Sequence, residues 1–151
     1  MQSSNIYNLF RSQAAKYGER PAFYTRSDGE WRPQSWRVVE EKVLSLACAF
    51  LAKGLTRGSS VAILAGNIPE WTICDLAAIA AGGVGVGIYP TSSSEQASFI
   101  IGHSDAEFVI VDTVAQLQKI DGEFPKVRAI LCIEEGIFDA FLNEGRAARS
   151  E

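Results

Sequence analysis

The chain has one histidine and three cysteines among 151 residues. No C-x-x-C occurs and no second histidine exists, so the ligand set of a zinc site is missing. Cys48, Cys74 and Cys132 lie far apart in apolar stretches, as expected of small buried hydrophobes in a reducing, cytoplasmic compartment. Basic runs are also absent. With 14 Lys and Arg against 18 Asp and Glu, the net charge is −4 and the pI about 5.1, which argues against a nucleic-acid partner. The start, Met1-Gln-Ser-Ser-Asn5, lacks the basic and apolar regions of a signal peptide. The longest uncharged run, between Asp75 and Glu95, contains Gly82, Gly83, Gly85, Gly87 and Pro90. A membrane span needs about 20 continuous apolar residues, so this run reads as a buried helix followed by a buried strand.

What is present is a globular composition, 47% apolar and 21% charged. Ile6, Leu9, Phe10, Ala14 and Tyr17 recur at helical spacing and Gly18 ends the helix. Pro21–Trp36 reads as a hairpin with an Asp28-Gly29 turn. Ser35 can cap a helix whose buried face is Val39, Val43, Leu46 and Phe50, closed by Gly54. Ser60–Ala65 is a short apolar strand. Pro69 suits a first helical turn, and the helix at 70–81 has almost no polar face, which places it between layers with Trp71 substantially buried against the sheet. Val84–Tyr89 is the next strand. Ser92-Ser-Ser-Glu95 fits a capping box for a helix through Ile101. Strands at 108–111 and 127–133 follow, with short helices at 113–120 and 137–142.

Strands thus alternate with helices four times. The pattern predicts an α/β fold, a parallel sheet with helices on both faces in the flavodoxin or Rossmann manner. Residues 5–36 form a helix-and-hairpin appendage, 36–142 the alternating body, and 143–151 a frayed tail.

Few motifs carry chemistry. Gly82-Gly-Val-Gly-Val-Gly87 is not a dinucleotide fingerprint: Ile88 stands where the last glycine belongs, and the run enters a strand rather than a helix. It reads instead as a helix stop plus a strand closely approached by other backbone. No P-loop occurs. His103 sits where a helix ends, a favourable place for a cation. Two loops leave the C-terminal ends of strands and enter helices, Gly66-Asn-Ile-Pro69 and Pro90-Thr-Ser-Ser93, and ligands bind at that end of open parallel sheets.

The order Ser35-Trp36, Gly54-Leu55, Gly58, Val61-Ala-Ile-Leu64, Asn67-Ile-Pro-Glu-Trp71, Ala81-Gly82 and Ile88-Tyr-Pro-Thr91 resembles the N-terminal part of the AMP-forming acyl-CoA synthetases. Ser94-Glu-Gln96, His103-Ser-Asp-Ala106 and Phe108-Val-Ile-Val-Asp112 resemble the long-chain fatty acyl-CoA synthetase branch. The resemblance covers roughly residues 6–142. It departs at Ser59-Ser60, where the family usually places an acidic residue.

The resemblance implies a parent enzyme, cytoplasmic or peripheral at a membrane. That parent uses ATP, Mg²⁺ and CoA to turn a fatty acid into its CoA thioester, releasing AMP and pyrophosphate. The family's phosphate loop, ribose-binding aspartate and catalytic lysine come later in the chain, so none is assigned here. The chain is expected to be an inactive fragment of the larger N-terminal domain. The resemblance places Tyr89, Pro90 and Thr91 near the CoA channel. The expected partners are the remainder of the enzyme and a second copy, giving a homodimer. Two alternatives remain: a free-standing flavodoxin-like binding domain, or the same family acting on another carboxylic acid.

Overall fold

The computed structural model describes residues 5–150. Helix α1 (Ile6–Tyr17) is capped by Asn5, whose Oδ1 accepts from the Asn8 N–H, and ends at Gly18. Strands β1 (Pro21–Ser27) and β2 (Glu30–Ser35) form an antiparallel hairpin of their own. Its turn needs positive φ at both central residues, which Asp28 (53°) and Gly29 (82°) supply. Ser35 caps α2 (Trp36–Ala52) through the Val38 N–H.

The main sheet is parallel, in the order β4-β3-β5-β6, built from β3 (Ser60–Leu64), β4 (Val84–Ile88), β5 (Ala106–Val111) and β6 (Ala129–Cys132). Period-two alternation sends Val61, Ile63, Phe108, Ile110 and Leu131 to one face. There they meet α2, α3 (Pro69–Ala80) and α6 (Ile137–Ser150). Ala62, Leu64, Ile88, Val109 and Val111 point to the other face, against α4 (Ser94–His103) and the short α5 (Val114–Leu117). The αβα sandwich expected from the sequence is therefore present. Phe50, Phe108 and Phe141 form its centre, with ring centroids 5.0–5.8 Å apart.

The glycine run serves close packing. On α3, Trp71, Asp75 and Ala78 follow one helical stripe and lie over Gly87, Gly85 and Gly83 of the strand segment. A Cβ on Gly83 would stand 2.9 Å from the Ser59 carbonyl oxygen, and one on Gly87 would stand 3.0 Å from the Trp71 ring. The helix rests on bare backbone, as the sequence suggested.

Four expectations need correction. The segment from 143 does not fray: the helix expected to stop at 142 runs through Ser150 as α6, because Phe138, Phe141, Leu142 and Gly145 continue one buried stripe against α2. Glu151 lies outside the described residues. The capping box is one residue later than expected: Ser93 and Gln96 form it, and Glu95 lies in the first turn. Trp71 is half-buried rather than buried, because β4 is an edge strand and the start of α3 overhangs it. Cys48 is also only half-buried, whereas Cys74 and Cys132 are buried.

Candidate functional site

The two loops singled out in the sequence meet at the C-terminal ends of β3 and β4. Between them lies an open cleft of about 470 Å³, lined by Ala65, Gly66, Asn67, Trp71, Gly87, Ile88, Tyr89 and Pro90. A shallower hollow of about 370 Å³ lies beyond Tyr89, bounded by Thr91, Ser92, Gln96, Phe99 and Ile100. Tyr89, 80% exposed, stands as the wall between the two. Pro90 is half-buried and Thr91 exposed. Of the family-implied residues, then, Tyr89 and Pro90 border the larger cleft, and Tyr89 and Thr91 the smaller.

Both loops are braced by the segment that follows β5. Gly66 donates its N–H to Asp112 Oδ2 at 2.7 Å. The Pro90 carbonyl accepts from Lys119 Nζ at 2.6 Å and from Gln116 Nε2 at 3.2 Å. Thr113 caps α5 through the Gln116 N–H, and Glu134 accepts from the Val114 N–H at 2.7 Å. Sequence reasoning noted Asp112 only as part of a family-like string and missed Gln116 and Lys119. The available signal was Asp112's position at the carboxyl end of a fully buried strand.

The larger cleft is apolar and carries no charged side chain on its lining. The ammonium of Lys119 is committed to the Pro90 carbonyl. Among the described residues, no three His, Cys, Asp or Glu side chains could hold a metal ion together. Burial pushes the Cys74 thiol up, so it is an inert packing group rather than a nucleophile. Burial likewise raises the Asp75 carboxyl above its usual range. His103 is the last residue of α4 and stacks its exposed ring on Phe99, with centroids 5.3 Å apart. The cleft can hold an apolar body against Trp71 and Tyr89. It has no groups to neutralise a triphosphate or activate a carboxylate, so the residues present do not fit ATP or Mg²⁺.

The family profile described as AMP-binding enzyme matches residues 10–150. The chain belongs to the AMP-binding enzyme family. Its relatives include the long-chain-fatty-acid–CoA ligase ACSBG2 of Xenopus laevis, 35% identical over 129 residues, which cover 83% of this chain and 18% of that protein. ACSBG1 of Bos taurus is 37% identical over 115 residues, covering 76% and 16%. The Drosophila melanogaster ligase heimdall is 30% identical over 145 residues, covering 91% and 21%. The chain thus spans about a fifth of the length of these relatives. The fold recurs in solved structures of the family. The anthranilate CoA ligase AuaEII superposes with a TM-score of 0.83 at 19% identity, over 93% of this chain and 27% of its own. The N-terminal domain of FACL13 from Mycobacterium tuberculosis gives 0.79 at 20%, over 93% and 36%. This member of the family therefore has the fold of the N-terminal portion of acyl-CoA ligases. Among its described residues, no helix is long and apolar enough to cross a membrane.

Proposed function

We propose that this chain is the N-terminal scaffold of a long-chain fatty acid–CoA ligase. The reaction of that ligase joins a fatty acid to CoA at the expense of ATP, with AMP and pyrophosphate as products. The observation that carries the reading is the 35% identity to a long-chain ligase over 83% of the chain. In this reading the chain contributes the sheet and its two loops, with Tyr89, Pro90 and Thr91 bordering the path of CoA. ATP and Mg²⁺ bind to later segments of the ligase, and no step of the chemistry runs through the residues described here.

Two measurements test the proposal. Purified chain supplied with ATP, Mg²⁺ and palmitate is expected to release pyrophosphate no faster than the blank, because positioned charge-stabilising groups each contribute orders of magnitude in rate. Turnover that follows the protein through purification would disprove the inactive-scaffold reading. Replacing the aligned segment of the Xenopus ligase with this chain is expected to leave palmitate activation intact. A folded chimera that no longer activates palmitate refutes the long-chain assignment.

A further inference from the structure

The segment after β5 ties together the two loops that wall the larger cleft. At its start, Asp112 accepts from the Gly66 N–H of the first loop at 2.7 Å. Further on, Lys119 holds the second loop at two points. Its Nζ donates to the Pro90 carbonyl at 2.6 Å, and its own carbonyl accepts from Ser94 Oγ at 2.5 Å. Beyond it, the Asp121 N–H donates to Ser98 Oγ at 3.1 Å, one turn along α4 from Ser94. All of these contacts lie inside the chain.

Tyr89 to Ser92 is a β-turn, closed by the Ser92 N–H, which donates to the Tyr89 carbonyl at 2.9 Å. Pro90 takes its second position, where a fixed φ suits the turn. The Pro90 carbonyl belongs to the central peptide and takes no part in closing the turn. Its orientation is what separates a type I turn from type II. Type II needs a positive φ at the third position, held here by Thr91. Among the described non-glycine residues only Asp28 and Asp105 have a positive φ, so type II is excluded. The central carbonyl keeps one orientation, and Lys119 and Gln116 both donate to it there. Gln116 does so with its Oε1 buried and without a partner among the described residues, a cost that its bond to Pro90 offsets. The ammonium bond is charge-assisted and the stronger of the two. Tyr89 and Thr91 are exposed, so packing does little to hold either side chain. The wall between the two hollows is therefore placed by polar bonds to its backbone.

We propose that Lys119 is a positioning residue for CoA: its ammonium locks the Pro90–Thr91 peptide and thereby places Tyr89 and Thr91 along the path of CoA. The CoA role rests on the function proposed above; the lock on the turn does not.

Lys119→Met removes the donor and keeps an unbranched side chain, whereas Lys119→Arg keeps a cationic donor. In the purified chain, Lys119→Met is expected to speed hydrogen exchange of the Ser92 amide roughly tenfold, as one charge-assisted bond is lost, and to leave the amides of β3 unchanged. In the Xenopus ligase carrying this chain as its aligned segment, Lys119→Met is expected to raise the KM for CoA roughly tenfold. Palmitate-dependent exchange of pyrophosphate into ATP is expected to keep its rate, and Lys119→Arg is expected to bring the KM back. A variant that merely loosened the fold would lower both half-reactions together. Unchanged Ser92 exchange in Lys119→Met overturns the lock. A KM for CoA that stays put, or one that rises together with a loss of pyrophosphate exchange, overturns the positioning role. So does a Lys119→Arg enzyme indistinguishable from Lys119→Met. A chimera with Lys119 intact that does not activate palmitate refutes the function proposed above and takes the CoA role with it, while Ser92 exchange still decides the lock.

Discussion

Gly145→Ala is expected to destabilise the fold by about 3 kcal/mol, the upper end of the usual range for overpacking. The sign is set by two opposed effects. Alanine is the better helix former by about 1 kcal/mol, so on an exposed helix the change would stabilise. Gly145 is buried, however, and a Cβ there would drive into the backbone carbonyl of Ser45 on α2 and stand 3.0 Å from the Ala49 Cβ. The obstruction is mostly backbone, so no rotamer change relieves it. Next to it, Arg146 clamps Glu41 of α2, with Nε–Oε1 at 2.6 Å and Nη2–Oε2 at 3.0 Å, fixing the two helices at this separation. Urea unfolding followed by far-ultraviolet circular dichroism reads the effect. An unchanged midpoint would show that α6 does not touch α2 at this residue.

The second large effect is centred on Glu107. The residue is 7% exposed, and its Oε2 accepts from the Thr56 N–H at 2.8 Å and from Arg128 Nε at 3.3 Å. Burial pushes this carboxyl up, but hydrogen bonds from Thr56, Arg128 and Ser59 outweigh it and hold the pKa below the usual carboxylate range. A depressed folded pKa means that the carboxylate stabilises the fold above the unfolded value, about 4.3, and that this contribution is lost as pH falls through the folded value. Glu107→Leu leaves a backbone N–H without its acceptor and a guanidinium without its partner. The expected cost at pH 7 is about 1–3 kcal/mol. The gap between parent and variant is expected to narrow as the pH falls below the unfolded value of about 4.3 and on through the lower folded value. A gap that stays constant from neutral to acid pH would remove the carboxylate from this account. Glu107 also bears on the serine pair at 59–60, where the family usually has an acid: here the carboxylate reaches the 54–59 turn from β5 instead.

Large side chains made most of this architecture readable. Val39, Val43, Leu46 and Phe50 announce the buried face of α2, and alternation along β3 and β5 fixes a two-faced sheet. The glycines of β4 could be assigned to close packing because they run into a strand. Contacts made through small residues were less visible. Gly145 has no side chain to extend the apolar stripe past Leu142, yet a Cβ there would meet the Ser45 carbonyl of α2, and that concealed the second half of α6. The capping box moved by one residue because three serines in a row each fit the cap, and only the chain path selects Ser93. At the candidate site, the loops Gly66–Pro69 and Pro90–Ser93 were found from their places after strands. Their braces, Gln116 and Lys119, were not, since they act on the Pro90 carbonyl across 26 and 29 residues of chain. No local pattern encodes such a contact.

The β1–β2 hairpin shares no strand pairing with the main sheet. A two-stranded ribbon alone is at best marginally stable in water. It keeps its place through Ala22 and Phe23, which pack on the main core, and through the N–H of Trp36, which donates to the Arg20 carbonyl at 3.0 Å. Its outer residues Tyr24 and Trp31 remain largely in solvent. The hairpin is therefore a separate cooperative unit, with a free energy of opening well below that of the whole domain. Native-state hydrogen exchange is expected to release the amides of residues 23–34 while those of β3 and β5 still report only global unfolding. Limited trypsin digestion is expected to cut first at Arg26 for the same reason, since Pro33 protects the bond after Arg32. Equal protection across the ribbon and the sheet would mean that the chain melts as one body, and the ribbon would then be an integral part of the core.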